Sequence, residues 1–206
     1  MRRVLLVLSG LILLSSCGTK NADVREIGNA TNSILRSSSA SSLLPYPLPD
    51  GATRIAKKPF GIFVSPGHSP VSPERFTGYH TGTDFETFAN EKDSDVSVSA
   101  VCAGNVLFTG WVKGYGGVLV QSCSLEGKPV TVLYGHLRSS SIVPRKGDAV
   151  SVGGKIAVLG TGLSTETDGE RKHLHLSVHR GSSIDFRGYA QTQQELDQWI
   201  DAYPAH

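Results

Sequence analysis

Short runs of alternating apolar and polar residues, cut by glycine-rich turns, constrain the fold of this chain more than any other feature. From about Gly51 to Tyr189 they include Val96-Ser97-Val98-Ser99, Val118-Leu119-Val120, Pro129 to Leu133 and His173 to Val178. Turns rich in glycine separate them at Lys113 to Gly117, Gly153-Gly154 and Gly160-Thr161-Gly162. A period of two sends successive side chains to opposite faces of a strand, and glycine admits the backbone paths that tight turns need. There is no helix–strand alternation and no internal repeat. The expected fold is therefore all-β, a small antiparallel sheet core, and about 140 residues are enough to bury it. One helix is expected at the C-terminus. Thr192-Gln193-Gln194-Glu195 has the form of a capping box, and Leu196, Trp199, Ile200 and Tyr203 recur at helical spacing.

The N-terminus reads as an export signal. Arg2 and Arg3 form a basic start, and Val4 to Leu14 an apolar stretch too short for a membrane span, which needs about 20 residues. Leu14-Ser15-Ser16-Cys17 resembles the lipobox of bacterial lipoproteins, which implies cleavage before Cys17 and a lipid on its thiol. Residues 1–16 are then the signal peptide, and 17–50 the lipidated cysteine with a flexible tether rich in Ser, Asn, Ala, Thr and Pro. Residues 51–206 are the folded domain with its C-terminal helix. The expected location is the bacterial cell envelope, exported and lipid-anchored to a membrane on its periplasmic or outer face. Several acyl chains at about 0.8 kcal/mol per buried methylene make such an anchor stable.

Loss of Arg2 and Arg3 with the signal leaves 18 basic against 18 acidic residues. No basic block survives, so nucleic acid is not an expected partner. With Cys17 assigned to the lipid, Cys102 and Cys123 remain as a pair. An oxidising compartment favours a disulfide between them. Their runs flank the turn around Gly114, and a hairpin centred near Val112–Lys113 sets the two face to face.

Three motifs carry the chemistry: His80-Thr81-Gly82-Thr83-Asp84, Tyr134-Gly135-His136-Leu137 and His173-Leu174-His175. They hold four of the seven histidines. In Lys172 to Val178 the even positions are apolar, so His173, His175 and Ser177 share the other face of a strand. One imidazole can ligate a metal while its neighbour reaches a metal-bound water. Thr81, Gly82 and Thr83 disfavour a helix between His80 and Asp84, and on an extended segment their even spacing again gives a shared face. Gly135 permits a close or unusual backbone path that can aim His136 into a pocket. Imidazole and carboxylate are common ligands of a zinc ion that keeps one coordination position open.

In this order the motifs resemble those of the lysostaphin/LytM-type zinc metallopeptidases. The flanks agree: Gly104-Asn105-Val106, Gly114-Tyr115-Gly116, Lys146 to Val150 and Gly160-Thr161-Gly162. The resemblance covers about Gly78 to Tyr189. It implies that His80, Asp84 and His175 hold one Zn2+ per chain and that His136 and His173 are the catalytic pair. It also implies peptidoglycan as the substrate, with peptide bonds of the cross-links hydrolysed by a zinc-bound water. No His-Glu-x-x-His is present, so a histidine must serve as base, and an imidazole pKa of about 6.5 suits that work. His173 is expected to be the base, with His136 on the water or the developing oxyanion. The alternative is a non-enzymatic LytM-type scaffold that regulates another cell-wall hydrolase. Such members usually lose zinc ligands, whereas all five positions are intact here. A monomer is expected. Two segments depart from the family pattern. Leu163 to Lys172 is longer and more charged; it either shapes the groove or is a surface loop, and the loop is expected. Ser65 to Phe76, with three prolines and His68, is expected to border the cleft.

Overall fold

Residues 42–204 are described in a computed structural model of the chain. Cys17, the export signal and the tether as far as residue 41 lie outside the described residues, as does His206. The strands are β1 (Phe63–Val64), β2 (Gly78–His80), β3 (Gly82–Glu86), β4 (Ser97–Ser99), β5 (Gly104–Val112) and β6 (Gly116–Leu125). They continue as β7 (Lys128–Leu137), β8 (Ala149–Val150), β9 (Lys155–Val158), β10 (His173–Arg180) and β11 (Tyr189–Ala190), followed by one helix, α1 (Gln193–Leu196). The largest sheet runs β3-β10-β7-β6-β5-β8, antiparallel at every step. A three-stranded sheet, β1-β2-β11, and the pair β4-β9 complete the fold. No helix among the described residues is long and apolar enough to cross a membrane.

The period of two sorts side chains onto the two faces of the large sheet. Leu119, Val132, Tyr134, Leu174, Leu176 and Val178 enter the main core with Phe85 of β3. Between them Val118, Val120 and Leu133 point the other way and pack with Tyr115 in a smaller cluster. Both faces are thus covered at these positions. The β5–β6 hairpin turns at residues 113–115, with Val112 opposite Gly116. Cys102, just before it, is bonded to Cys123 with their Cα atoms 6.1 Å apart.

Two expectations are modified. The helix is only one turn long. Half of its capping box is formed: Thr192 Oγ1 accepts from the Glu195 amide at 3.1 Å, while Glu195 Oε2 reaches past the cap to the Gln191 amide at 2.8 Å. However, β3 covers β10 only as far as Ser177, which leaves backbone groups of Val178 to Arg180 on an open edge. The chain after α1 fills that edge: Arg180 N donates to Gln198 O and Ile200 N to Val178 O, at 2.8 and 2.9 Å. Pairing that edge competes with further helix and wins, because buried backbone groups must be bonded. Leu196, Trp199 and Tyr203 are still buried, as their apolar spacing implied. The second change is at the other end. Residues 43–50, assigned above to the tether, pack on the domain: Leu44 and Leu48 join the main core, and Tyr46 stacks on Tyr203.

Candidate metal centre

β10 supplies His173 and His175 on the face opposite Leu174 and Leu176, both rings being buried. Its neighbour β3 sets Asp84 opposite His175. His80 ends β2 and pairs with Tyr189 of β11, so it belongs to a different sheet from Asp84. Thr81 interrupts the chain between them, yet the two side chains converge.

His136 arrives by a different device. β6 pairs Leu119 with Tyr134 and Gly117 with Leu137, so Val118 alone spans Gly135 and His136. This is a β-bulge, which bends a strand and re-aims a side chain. It lets Tyr134 and Leu137 both enter the main core, while His136, at φ 61°, turns into the cleft. Its backbone stays satisfied, with His136 N donating to Tyr115 O and Gly160 N to His136 O. Gly135 is required here for space: a Cβ would lie 2.5 Å from Tyr115 Cδ1.

Three donor atoms meet at the centre. His80 Nε2 lies 2.9 Å from His175 Nδ1 and 3.2 Å from Asp84 Oδ1, and His175 Nδ1 lies 3.1 Å from the same oxygen. His80 Nδ1 donates to Pro59 O at 3.2 Å, so in the neutral ring Nε2 presents its lone pair. A lone-pair nitrogen, a carboxylate oxygen and a second imidazole nitrogen so close together suit a cation. A tetrahedral site with bonds of about 2.0–2.2 Å separates its donors by roughly 3.3–3.6 Å. The three separations are a few tenths of an ångström tighter than that, so a small outward shift of the donors fits a metal ion, and His80, Asp84 and His175 form a group able to hold one.

The other two histidines stand beside this group. His173 Nδ1 donates to Arg171 O at 2.9 Å, and its Nε2 lies 3.3 Å from Asp84 Oδ2. The His136 ring is 4.2 Å from that of His173, centroid to centroid, and its Nδ1 is buried without a partner. Burial favours the neutral form of each group, and for two of the histidines it decides the outcome. It lowers His136 well below the usual imidazole range, with His173 adding to the effect. It takes His175 down to about 4, against the opposing pull of Asp84. For Asp84 burial acts upward, but His173, His80 and the hydrogen bonds to it prevail and hold the carboxyl well below its ordinary value. An anionic Asp84 beside a neutral His175 is the protonation state a metal site needs.

The cleft around these groups has a volume of about 320 Å³ and is walled by Phe76, Lys113, Tyr115, Glu170, Arg187 and Tyr189. The proline-rich segment does border it, through Phe76, which stacks on Tyr189 at 5.1 Å. His68 is exposed in a turn outside the cleft, and His179 lies at the far end of β10 against Trp199. The expectation of a surface loop over Leu163 to Lys172 is corrected: Glu170 forms cleft wall and Arg171 bonds Asp84 at 2.8 Å. Sequence reasoning passed over Arg171, Glu86, Tyr115, Tyr189 and Lys58. Parity could have found the first two, since Arg171 continues the odd series of His173 and His175 and Glu86 the even series of Asp84. Lys58 and Tyr189, 131 residues apart and bonded at 2.9 Å, carry no such signal.

A small antiparallel β core that gathers a His–Asp–His group beside two further histidines defines a LytM-like fold with a metallopeptidase arrangement. The chain belongs to Peptidase family M23, which matches residues 78–186, just over half of it. Solved structures similar to it include lysostaphin by NMR, at 28% identity over 52% of this chain and 39% of that one, TM-score 0.40. A zinc-containing peptidase from Vibrio cholerae is 22% identical over 81% of this chain and 40% of that one, TM-score 0.46. The catalytic domain of the antimicrobial peptidase lysostaphin from Staphylococcus simulans is 20% identical over 71% of this chain and 84% of its own, TM-score 0.44. The chain spans about two fifths of the length of the first two. Comparison with curated proteins finds no match.

Proposed function

We propose that this chain is a zinc metalloendopeptidase that hydrolyses peptide bonds in peptidoglycan cross-links, exported and anchored to a membrane through a lipid on Cys17. The observation that carries the reading is the meeting of His80 Nε2, Asp84 Oδ1 and His175 Nδ1 within 2.9–3.2 Å of one another, in one cleft with His136 and His173. Membership of a peptidase family supports it. Zinc suits a set of two imidazoles and one carboxylate, and when bound it would supply a Lewis acid that acidifies water and polarises a carbonyl.

The roles of the remaining residues follow from their surroundings. His173 is the general base. Its Nδ1 proton is engaged by Arg171 O, so Nε2, 3.3 Å from Asp84 Oδ2, carries the lone pair that takes a proton from the attacking water and returns it to the leaving amine. His136, held neutral by burial, hydrogen-bonds the water or the developing oxyanion. Tyr115 has its hydroxyl 3.5 Å from His175 Nε2. Burial raises its pKa, which keeps the proton available at the floor of the cleft. The aromatic wall of Phe76 and Tyr189 accepts the apolar part of a peptide.

The test is zinc content of the purified chain together with incubation on peptidoglycan, following released fragments by mass spectrometry, with His173→Ala alongside. One zinc per chain and new peptide ends that vanish in the variant are expected. Bound zinc without cleavage would favour the non-enzymatic scaffold, and absence of zinc would sink the mechanism. The pH–rate profiles of His136→Ala and His173→Ala separate the two roles: only loss of the base removes the acidic limb.

A further inference from the structure

Asp84 uses its two oxygens differently. Oδ1 faces His80 and His175, whereas Oδ2 accepts from Arg171 Nη2 at 2.8 Å. Arg171 in turn lies against Glu86, with Nε 3.1 Å from both carboxylate oxygens and Nη2 also bonded to Oε1. Glu86 and Asp84 project from one face of β3, and Glu86 sits opposite His173 in the register. One guanidinium therefore spans two carboxylates on the neighbouring strand, while its own backbone carbonyl holds His173 Nδ1. Its remaining Nη1 is buried with no partner. A fork pointed at two acids, at the expense of its third nitrogen, is the geometry that arginine provides and lysine does not.

We infer that Arg171 and Glu86 are a positioning pair for the metal centre, which fixes Asp84 as a one-oxygen ligand. The inference rests on the metal-site reading above. A carboxylate bound through one oxygen can swing to offer both, and doing so would fill the position that a water must occupy. Engaging Oδ2 prevents that swing. A lone guanidinium beside the site would also repel the cation and compete for the aspartate. Glu86 offsets the guanidinium's charge, and the second cation near it, Lys57 Nζ at 3.5 Å from Oε2, is half exposed and screened by solvent, so the hydrogen bond is supplied with little added positive charge.

Two substitutions in the full-length chain separate geometry from charge. Arg171→Lys keeps the charge and loses the fork; Glu86→Gln keeps the shape and loses the counter-charge. Zinc affinity measured by competition with a chromogenic chelator should fall about tenfold or more in each, and the cobalt-substituted Arg171→Lys protein should show an absorption spectrum of higher coordination number than the wild type. A pair that merely ties β3 to β10 would lower the urea midpoint and leave the affinity of the folded chain within twofold of wild type in both variants. That result, with an unchanged cobalt spectrum, overturns the inference alone. A wild-type chain that binds no zinc overturns the metal reading and this inference with it.

Discussion

His136 holds a conformation that side chains with a Cβ seldom adopt, at φ 61°, and it does so inside a strand. The bulge needs that angle to bring Tyr134 and Leu137 onto one face while sending His136 to the other. A left-handed residue other than glycine costs about 1–2 kcal/mol. In most strands glycine is worse than alanine by roughly 0.5–1 kcal/mol. At this position the order should reverse: His136→Gly is expected to unfold at higher urea than His136→Ala, by about 1 kcal/mol, with both lacking cleavage. Equal midpoints would show that the bulge relaxes when the ring is removed. The histidines also set the acid response. His175 titrates at about 4 in the fold instead of its ordinary 6.5. Between those values the unfolded chain binds a proton that the folded one does not, so stability must fall as pH drops through that window. Burial of His136 acts in the same sense. Asp84, with its pKa depressed, contributes stability above the ordinary 3.8 and loses it only below. The urea midpoint of the metal-free chain should therefore begin to decline as pH falls below about 6.5, before Glu74, Glu91 and Glu166, lowered from 4.5, add to the loss; a flat profile between pH 7 and 5 would contradict a buried, neutral His136 and His175.

The elements around the cleft are held by pairs remote in sequence. Lys58 and Glu74, each 2% exposed, meet at 2.8 Å and fasten the proline-rich segment to the wall beside Tyr189. Glu74 also accepts from the amides of Arg75 and Phe76 and from Ser69 Oγ. Removing one member of a buried pair strands the other's charge, at about 3–5 kcal/mol. Lys58→Met should lose that much stability in urea unfolding, and Lys58→Met with Glu74→Gln should recover part of it. Equal losses would mean that Glu74 is satisfied by its amides alone. Such pairs explain what was legible in advance. The strands of the large sheet and the shared face of His173 and His175 depend on local period, and the sequence displays them. Cys102 and Cys123 are bonded as expected, but the hairpin centres on Gly114 and Cys102 precedes β5, so the two are not strand partners. The length of α1 was not readable, because it is set by the open edge of β10, a property of the assembled sheet. The same holds for Arg171. Its parity was visible, but its purpose depends on β3 lying beside β10.

At the scale of the whole molecule, the domain begins before its chemistry does. Leu44 and Leu48 are 7% and 3% exposed and belong to the main core. Tyr46 meets both Phe85 and Tyr203, and backbone bonds run from Leu43 to Ala202 and from Ser99 to Pro47. This arm packs against the segment that follows α1, and so ties the start of the domain to its end. Full burial of a leucine is worth about 1.5–3 kcal/mol, so losing the arm removes several kcal/mol from a domain whose net stability is typically about 5–15. A fragment starting at Gly51, where the composition changes, should therefore melt far below one starting at Ser42, and Leu48→Ala within the longer fragment should cost about 2–5 kcal/mol. A fragment cut to the family match, residues 78–186, should fare worse still. It lacks Lys58, Tyr189 and Trp199, and with them the Lys58–Glu74 pair, the ring stacked on Phe76 and the cover over the edge of β10. Thermal melts of the three fragments should rank in order of length. Equal melting of the Ser42 and Gly51 fragments would show that the arm rests on a core already complete without it.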